Sequence, residues 1–113
     1  MTLSFKISDT VNDYSLNMKH WKTKEIGIIL TFIINGDLNN PIVKLVDSLE
    51  AEGGESNLLT ISLRNTNFGT IDYHDYLQMG LNTVEINIKP MKMSANLKQH
   101  CGYQIRAISI EKQ

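Results

Sequence analysis

Short segments in which apolar and polar residues alternate recur along this chain, and they constrain its fold more than any other feature. Successive side chains of a β-strand point to opposite faces, so alternation predicts a strand with one buried face. Isoleucine occurs 14 times, threonine 8 times and alanine only 3 times, a usage that favours strands over helices. The clearest alternating segments are residues 3–8, 59–64, 84–89 and 91–98.

The longest apolar segment runs from Ile26 to Ile34 and is apolar at both parities apart from Gly27 and Thr31. A strand that is covered on both faces has this composition, so we expect it to be central in its sheet. The turn residues at 35–37, Asn-Gly-Asp, predict its end.

The segment Tyr103–Glu111 predicts a last strand in which the apolar residues change from one face to the other part-way along. Ile105 and Ala107 lie on one parity, whereas Ile108 and Ile110 lie on the other. A β-bulge near Ala107 would restore a single buried face. The alternative is a strand that is covered on both sides.

One segment follows a helical rather than a strand period. Ile42, Leu45, Val46 and Leu49 are spaced i, i+3, i+4, i+7, with Asn40 and Pro41 before them as start signals and Gly53-Gly54 after them as a stop. We favour a short helix over residues 41–52, and a strand from Ile42 to Val46 is the competing interpretation.

Length and charge bound the class of protein. The chain has 113 residues, which predicts one domain, 1–113, with a core of its own. The net charge of -1 gives no basic field, so we expect no nucleic-acid partner. The single cysteine, Cys101, excludes an internal disulfide. Nine consecutive apolar residues are too few for a membrane-spanning helix.

The first residues, MTLSFKISDT, lack the cationic start and apolar stretch of a signal peptide. We expect a protein that is associated with a virion or another assembly, or an extracellular module excised from a longer chain.

Residues 69–88, GTIDYHDYLQMGLNTVEINI, carry a resemblance to a known family. They are similar to the turn of galactose-binding-like β-sandwiches, in which an aspartate, an Asp-Tyr-Leu triplet, a glycine and an asparagine precede an alternating strand. Asp72, Asp75, Leu77, Gly80 and Asn82 match that pattern. In place of its usual threonine, proline and glutamate, this chain has His74, Met79 and Leu81.

Each matching residue also has a local physical role. Asp72 and Asp75 can accept backbone N–H bonds and open a tight turn. Leu77 would plug the end of the sandwich, and Gly80 would supply a positive φ. Asn82 would tie the loop to the next strand.

The resemblance implies a single all-β domain, a β-sandwich of jelly-roll type, with the short helix at 41–52 as an addition. It also implies non-catalytic recognition of carbohydrate or a cell-surface glycan through loops on a rigid scaffold. The same fold hosts many functions, so the ligand has to be argued from side chains.

Trp21 is the only tryptophan, and it lies in the polar segment Lys19–Lys24, which we interpret as a loop between strands. An exposed indole can stack on a sugar ring, and Tyr14 and His20 are expected to assist it. The alternative is that Trp21 packs at the edge of the core while the lysines are solvated. Tyr73 and Tyr76 form a second candidate ligand-binding pair.

Catalysis and metal binding have weaker support. Asp72, His74 and Asp75 are metal ligands by type, but turn capping explains them more simply. His100 and Cys101 are neighbours that would point to opposite faces of a strand. The chain has no GxSxG, P-loop or HExxH motif. We therefore predict no enzyme activity, no cofactor and no metal.

A different class of function fits the same composition. A small stand-alone β-domain without a signal peptide is also typical of a structural or receptor-binding subunit of a phage or viral particle, or of another multi-subunit assembly. Such a subunit would bury a self or partner interface of roughly 1,000 Å² or more.

Overall fold

The computed structural model describes residues 1–9, 11–22, 27–46, 57–65, 74–90 and 103–112. These residues form seven strands and no helix. The strands are β1 (Thr2–Ile7), β2 (Tyr14–Lys22), β3 (Ile28–Ile34), β4 (Ile42–Val46), β5 (Asn57–Arg64), β6 (Gly80–Pro90) and β7 (Tyr103–Lys112). The all-β prediction is confirmed.

The strands form two antiparallel sheets. One has four strands in the order β1-β6-β3-β4, and the other has three in the order β5-β2-β7. The strand β3 lies between β6 and β4, which confirms that the apolar segment before residue 35 is an inner strand.

Side chains of both sheets meet in one core, as the alternation requires. Along β3 the residues Ile28, Leu30, Phe32 and Ile34 are buried, and the residues between them are half-buried. The other sheet contributes the buried side chains Tyr14, Leu16, Met18, Ile61 and Leu63 to the same cluster. Two sheets with a shared apolar interior make a sandwich-like arrangement.

The change of face in the last strand is a bulge. Lys19 pairs with Ala107 and the next residue, His20, pairs with Ile105, so the register shifts by one residue at Arg106. Ile105 and Ile108 consequently both pack against the core although their parities differ. This confirms the bulge interpretation of the sequence.

The predicted helix at 41–52 is wrong over the described part of that range, because residues 42–46 form strand β4. Ile42 and Val46 satisfy the i, i+4 helical spacing, but they also share one parity of a strand. Val43 and Leu45 are 53% and 62% exposed, so the apolar residues do not form one buried stripe. Pairing with β3, from Ile28↔Val46 to Phe32↔Ile42, decides the conformation.

The loop predicted around Trp21 is also wrong for that residue, because β2 continues through position 22. Leu16, Met18 and His20 face inward, and Lys19 and Trp21 lie on the opposite parity. The predicted strand at 91–98, and with it Tyr73, Asp72, His100 and Cys101, lies outside the described residues.

Candidate functional site

The turn at residues 74–82 has the geometry that its sequence predicts. The Leu77 backbone N–H donates to Asp75 Oδ1 at 3.0 Å, and the Leu77 side chain is only 8% exposed. Gly80 has a φ of 84°, a left-handed conformation that suits glycine. These features confirm a structural role for Asp75, Leu77 and Gly80.

Two asparagines hold this turn against the end of β3. Asn82 is fully buried and donates from Nδ2 to the carbonyls of Gln78 (2.8 Å) and Gly80 (3.1 Å). Its Oδ1 accepts bonds from the Gln78 backbone N–H and from Asn35 Nδ2, at 2.9 and 2.8 Å. Asn35 in turn accepts a bond from the Thr83 N–H at 2.9 Å. The amide of Asn82 is thus saturated by the protein itself and has no capacity left for a ligand.

A second polar cluster surrounds Arg64, which is 3% exposed. Its Nε donates to Asp75 Oδ2 at 3.0 Å, and its Nη1 donates to the Asp9 carbonyl at 3.2 Å. The Tyr14 hydroxyl donates to Asp9 Oδ2 at 2.5 Å. This bond holds the pKa of Asp9 well below its ordinary value and raises the pKa of Tyr14. Tyr14, a predicted ligand-binding residue, is therefore buried and fixes the start of β2.

The outer face of the sheet β5-β2-β7 presents a third group of side chains and adjoins the second cluster at Arg64. We call this face the polar trough. Its rows follow the register: Asn17 pairs with Thr60 and Ser109, and Lys19 pairs with Leu58 and Ala107. The side chains of Thr60 and Asn17 are joined by a hydrogen bond of 2.8 Å.

Two shallow grooves of about 270 Å³ each lie along the polar trough. The first is lined by Asn17, Lys19, Leu58, Ala107, Ile108, Ser109 and Glu111. The second is lined by Asp13, Ser15, Thr60, Ser62, Arg64 and Asn65. The first groove lies across β2, β5 and β7, and the second lies across β2 and β5, where Ser15 is two residues from Asn17 and Thr60 is directly beside it. Both grooves combine polar with apolar surface.

Trp21 stands at one end of the polar trough. It pairs with Gln104 on β7 and is half-buried. The guanidinium carbon of Arg106 lies 5.7 Å from the centre of the indole ring, within cation–π distance. The indole Nε1 is buried and has no hydrogen-bond acceptor among the residues that the structure describes.

His20 lies on the inner face, on the other side of the sheet from Trp21. It is 3% exposed, and its Nδ1 is 3.0 Å from the Tyr103 hydroxyl, with the two rings edge to face at 5.7 Å. Burial raises the pKa of Tyr103 to about 12. The His20–Tyr103 pair therefore packs on the inner face of the sheet, opposite Trp21, and stabilises the end of β2.

Tyr76 lies in the 74–82 turn, half-buried and packed against the core. Its ring is edge to face with His74 at 4.6 Å, and His74 Nε2 is 3.4 Å from Asp37 Oδ2. The pKa of Asp37 is lowered, mainly by a hydrogen bond from Asn40 and to a smaller extent by His74.

The predicted site residues do not all meet. Tyr14 and Trp21 lie at opposite ends of β2, about 23 Å apart at the usual rise per residue. Tyr76 belongs to the Tyr14 end, where its N–H donates to the Leu63 carbonyl at 3.3 Å. The outward-facing residues of the polar trough, among them Asn17, Ser109 and Arg106, are not among the residues that the sequence predicts for a site. The feature of the sequence that could have indicated them is their position on the outward-facing side of β2 and β7.

The described residues hold no cluster of three or more metal-ligating side chains. Nor do they include a helix with the length and apolar character needed to cross a bilayer. No protein family, no curated protein and no solved structure matches this chain. Its function is therefore argued from the chemistry of its surfaces.

Proposed function

We propose that this protein is a non-catalytic recognition module that binds carbohydrate, such as a cell-surface glycan, along the polar trough. The observation that carries the proposal is the composition of that face. Amide and hydroxyl side chains, together with apolar and charged ones, line two neighbouring grooves, and the only tryptophan of the chain stands at one end of this sheet face.

The chemistry of a sugar matches this surface. Each hydroxyl of a sugar both donates and accepts, and so do the amide of Asn17 and the hydroxyls of Thr60 and Ser109. The apolar face of a sugar ring stacks on an aromatic ring, for which Trp21 is suited. From Trp21 to Ser15 the polar trough is about 20 Å long, enough for several sugar units.

The finer points of the fold belong to the same proposal. A jelly-roll connection of the strands and a place among galactose-binding-like modules are supported by the 74–82 turn, whose hydrogen bonds follow the expected pattern. Within this proposal Trp21 contacts the ligand directly. His20 supports it from the inner face, Tyr14 and Tyr76 brace the far end, and Tyr73 stays a predicted ligand residue.

A glycan array followed by a fluorescence titration tests the proposal. Because Trp21 is the only tryptophan, its emission reports directly on a ligand that stacks there. We expect binding in the micromolar to millimolar range, and loss of binding in Trp21→Ala with the fold retained by circular dichroism.

The matched control is Phe5→Ala, which also removes a half-buried aromatic ring but on the edge strand of the other sheet. If Trp21→Ala bound the glycan with the same affinity as the unsubstituted protein, Trp21 would not be part of the binding site. Failure to bind any glycan would overturn the proposed function.

A second candidate function, a structural or receptor-binding subunit of a phage or viral particle or other assembly, is supported by the outer face of the four-stranded sheet. There the exposed side chains of Val43 and Leu45 lie beside the half-buried Ile29 and Thr31 across the β3–β4 pair. Exposed apolar surface of this kind is typical of contact sites. Light scattering tests this function: a defined oligomer that Leu45→Glu dissociates would favour it, and a monomer would count against self-assembly.

A further inference from the structure

We propose that the edge strand β1 is the contact surface between two copies of this protein, which pair their β1 strands antiparallel about a two-fold axis. The inference goes beyond carbohydrate binding and does not depend on it. Three observations carry it. Among the described strands, β1 is the sheet edge that lacks protection against pairing, its outer backbone groups are unpaired, and its side chains are complementary to those of a second copy.

The two sheets have four edge strands, and three of them carry features that oppose the addition of another strand. β4 has five residues, follows Pro41 and carries Lys44 on its inward parity. β5 is partly covered, because the Tyr76 N–H donates to the Leu63 carbonyl at 3.3 Å. β7 is interrupted by the bulge at Arg106. Proline, inward charges, cover and bulges are the usual ways in which sheet edges are kept from pairing, and in the described structure β1 has none of them.

The free edge of β1 presents the backbone groups of alternate residues. The Ile86 N–H donates to the Met1 carbonyl at 2.7 Å, and the Met1 nitrogen donates to the Ile86 carbonyl at 3.3 Å. Because bonded residues alternate in an antiparallel pair, the N–H and C=O groups of Thr2, Ser4 and Lys6 point away from β6. No described residue bonds to them on that side. The edge is therefore open to an added strand, a common mode of protein recognition.

A second copy of β1 fits this edge in a self-complementary register. With Ser4 opposite the second copy's Ser4, Thr2 lies opposite Lys6, and Leu3 lies opposite Phe5. Leu3 and Phe5 then occupy the non-hydrogen-bonded sites, where cross-strand side chains are closest. Both are half-buried and pack against the core of their own copy. The pairing therefore adds about six backbone hydrogen bonds and extends the apolar interior from one copy into the next.

The charges on the outer face favour the same register. Lys6 lies beside Leu81, Glu85 lies beside Thr2, and neither charge has an ion-pair partner among the described residues. In the two-fold arrangement, Lys6 of one copy continues the row that holds Thr2 and Glu85 of the other. Two strand spacings, about 10 Å, separate the backbones at Lys6 and Glu85, and their extended side chains can bridge that distance over the small Thr2. The symmetry forms this pair twice and keeps the two lysines about 14 Å apart.

The symmetry of such a dimer has a consequence for the polar trough. The two-fold axis of an antiparallel strand pair is perpendicular to the sheet, so corresponding faces of the two copies point the same way. Both polar troughs would then face one side of the dimer, and two linked sites bind a surface with many ligands more strongly than one site does. This consequence, unlike the dimer itself, rests on the proposed function.

Sedimentation across a concentration series, on protein without an N-terminal tag, tests the pairing. We expect a monomer–dimer equilibrium with a dissociation constant in the micromolar range, and no dimer in Ser4→Pro. A proline whose nitrogen faces away from the sheet removes no internal hydrogen bond, so Ser4→Pro should keep its fold by circular dichroism. Val43→Pro is the matched control on β4, where by the same alternation the N–H also points away from the sheet. It should leave the dimer unchanged.

A charge reversal tests the register without altering the backbone. Lys6→Glu places a carboxylate near Glu85 of the other copy, so we expect dimerisation to weaken about tenfold. The double variant Lys6→Glu with Glu85→Lys restores the opposite charges and should dimerise within about threefold of the unsubstituted protein.

Four outcomes would overturn the inference. They are a monomer at every concentration up to about 1 mM, a folded Ser4→Pro that still dimerises, equal weakening by the single and double charge variants, and a dimer that Leu45→Glu dissociates. The last outcome would place the interface on the outer face of β3 and β4. If Ser4→Pro does not fold, the charge variants decide. None of these outcomes bears on whether the polar trough binds carbohydrate, which the glycan array measures separately.

Discussion

The 74–82 turn and the polar trough contain the same kinds of polar side chain and use them in opposite ways. In the turn, Asn82 is fully buried and its amide makes four hydrogen bonds within the protein. In the polar trough, Asn17 is bonded to Thr60 across the strand pair and still lines an open groove. A polar side chain that is buried and fully hydrogen-bonded, such as Asn82, stabilises the fold. A polar side chain that remains accessible, such as Asn17, can also bind a ligand.

The comparison predicts its largest effect at Asn82. In Asn82→Ala, Asn35 Nδ2 and the Gln78 N–H lose their acceptor inside the protein. We expect the free energy of unfolding to fall by about 3 kcal/mol, measured by urea denaturation. Asn17→Ala is the control on the outer face, with an expected change within about 0.5 kcal/mol. If both variants lost a similar amount of unfolding free energy, the proposed difference between the 74–82 turn and the polar trough would be wrong.

Gly80 should show a smaller effect, confined to the backbone. A Cβ at this position would meet no atom within 4 Å, so the only cost is the φ of 84°. We expect Gly80→Ala to lose about 1–2 kcal/mol of unfolding free energy and to keep its affinity for a ligand of the polar trough. A loss below a few tenths of a kcal/mol would mean that the turn relaxes freely.

Acid should destabilise the protein in part through Asp9. The pKa of Asp9 is lower in the folded protein than in the unfolded chain, mainly because the Tyr14 hydroxyl donates to it. Its contribution is therefore present above the unfolded pKa of about 4 and is lost as pH falls below it. Tyr14→Phe should be less stable near neutral pH and show a flatter decline in the urea midpoint between about pH 5 and pH 2. A parallel decline in both proteins would contradict this.

Local pattern was sufficient for much of the fold. Alternation identified the strands around Phe5, Ile61 and Ile86, and the change of face located the bulge beside Ala107. Each of these features depends on a few consecutive residues and the requirement that one face be buried. The turn at 74–82 was predicted from its resemblance to the turn of a known family. Asp75 and Gly80 act there within a few residues, whereas Asn82 also bonds to the distant Asn35.

The sequence pattern gave the wrong structure where pairing between distant strands determines the conformation. The spacing of Ile42 and Val46 fits a helix and a strand equally, and the edge of β3 selects the strand. β2 was missed around Trp21 because its outward residues are polar, which resembles a loop. The polar trough needs the order β5-β2-β7, which brings Asn17 beside Thr60, 43 positions later, and Ser109, 92 positions later. No short segment of the sequence indicates which strands are neighbours in this sheet.

The smallest predicted effect concerns the indole N–H of Trp21. Because Nε1 is buried without an acceptor among the described residues, Trp21→Phe breaks no hydrogen bond that the described part of the chain makes. We expect an unfolding free energy within about 1 kcal/mol of the unsubstituted protein and an affinity for the glycan reduced by no more than about threefold, since the phenyl ring still stacks. Calorimetry measures the affinity, as the fluorescent reporter is gone. If Trp21→Phe lost as much affinity as Trp21→Ala, the N–H itself would contact the ligand, and the end of the polar trough would have to rearrange on binding to expose it.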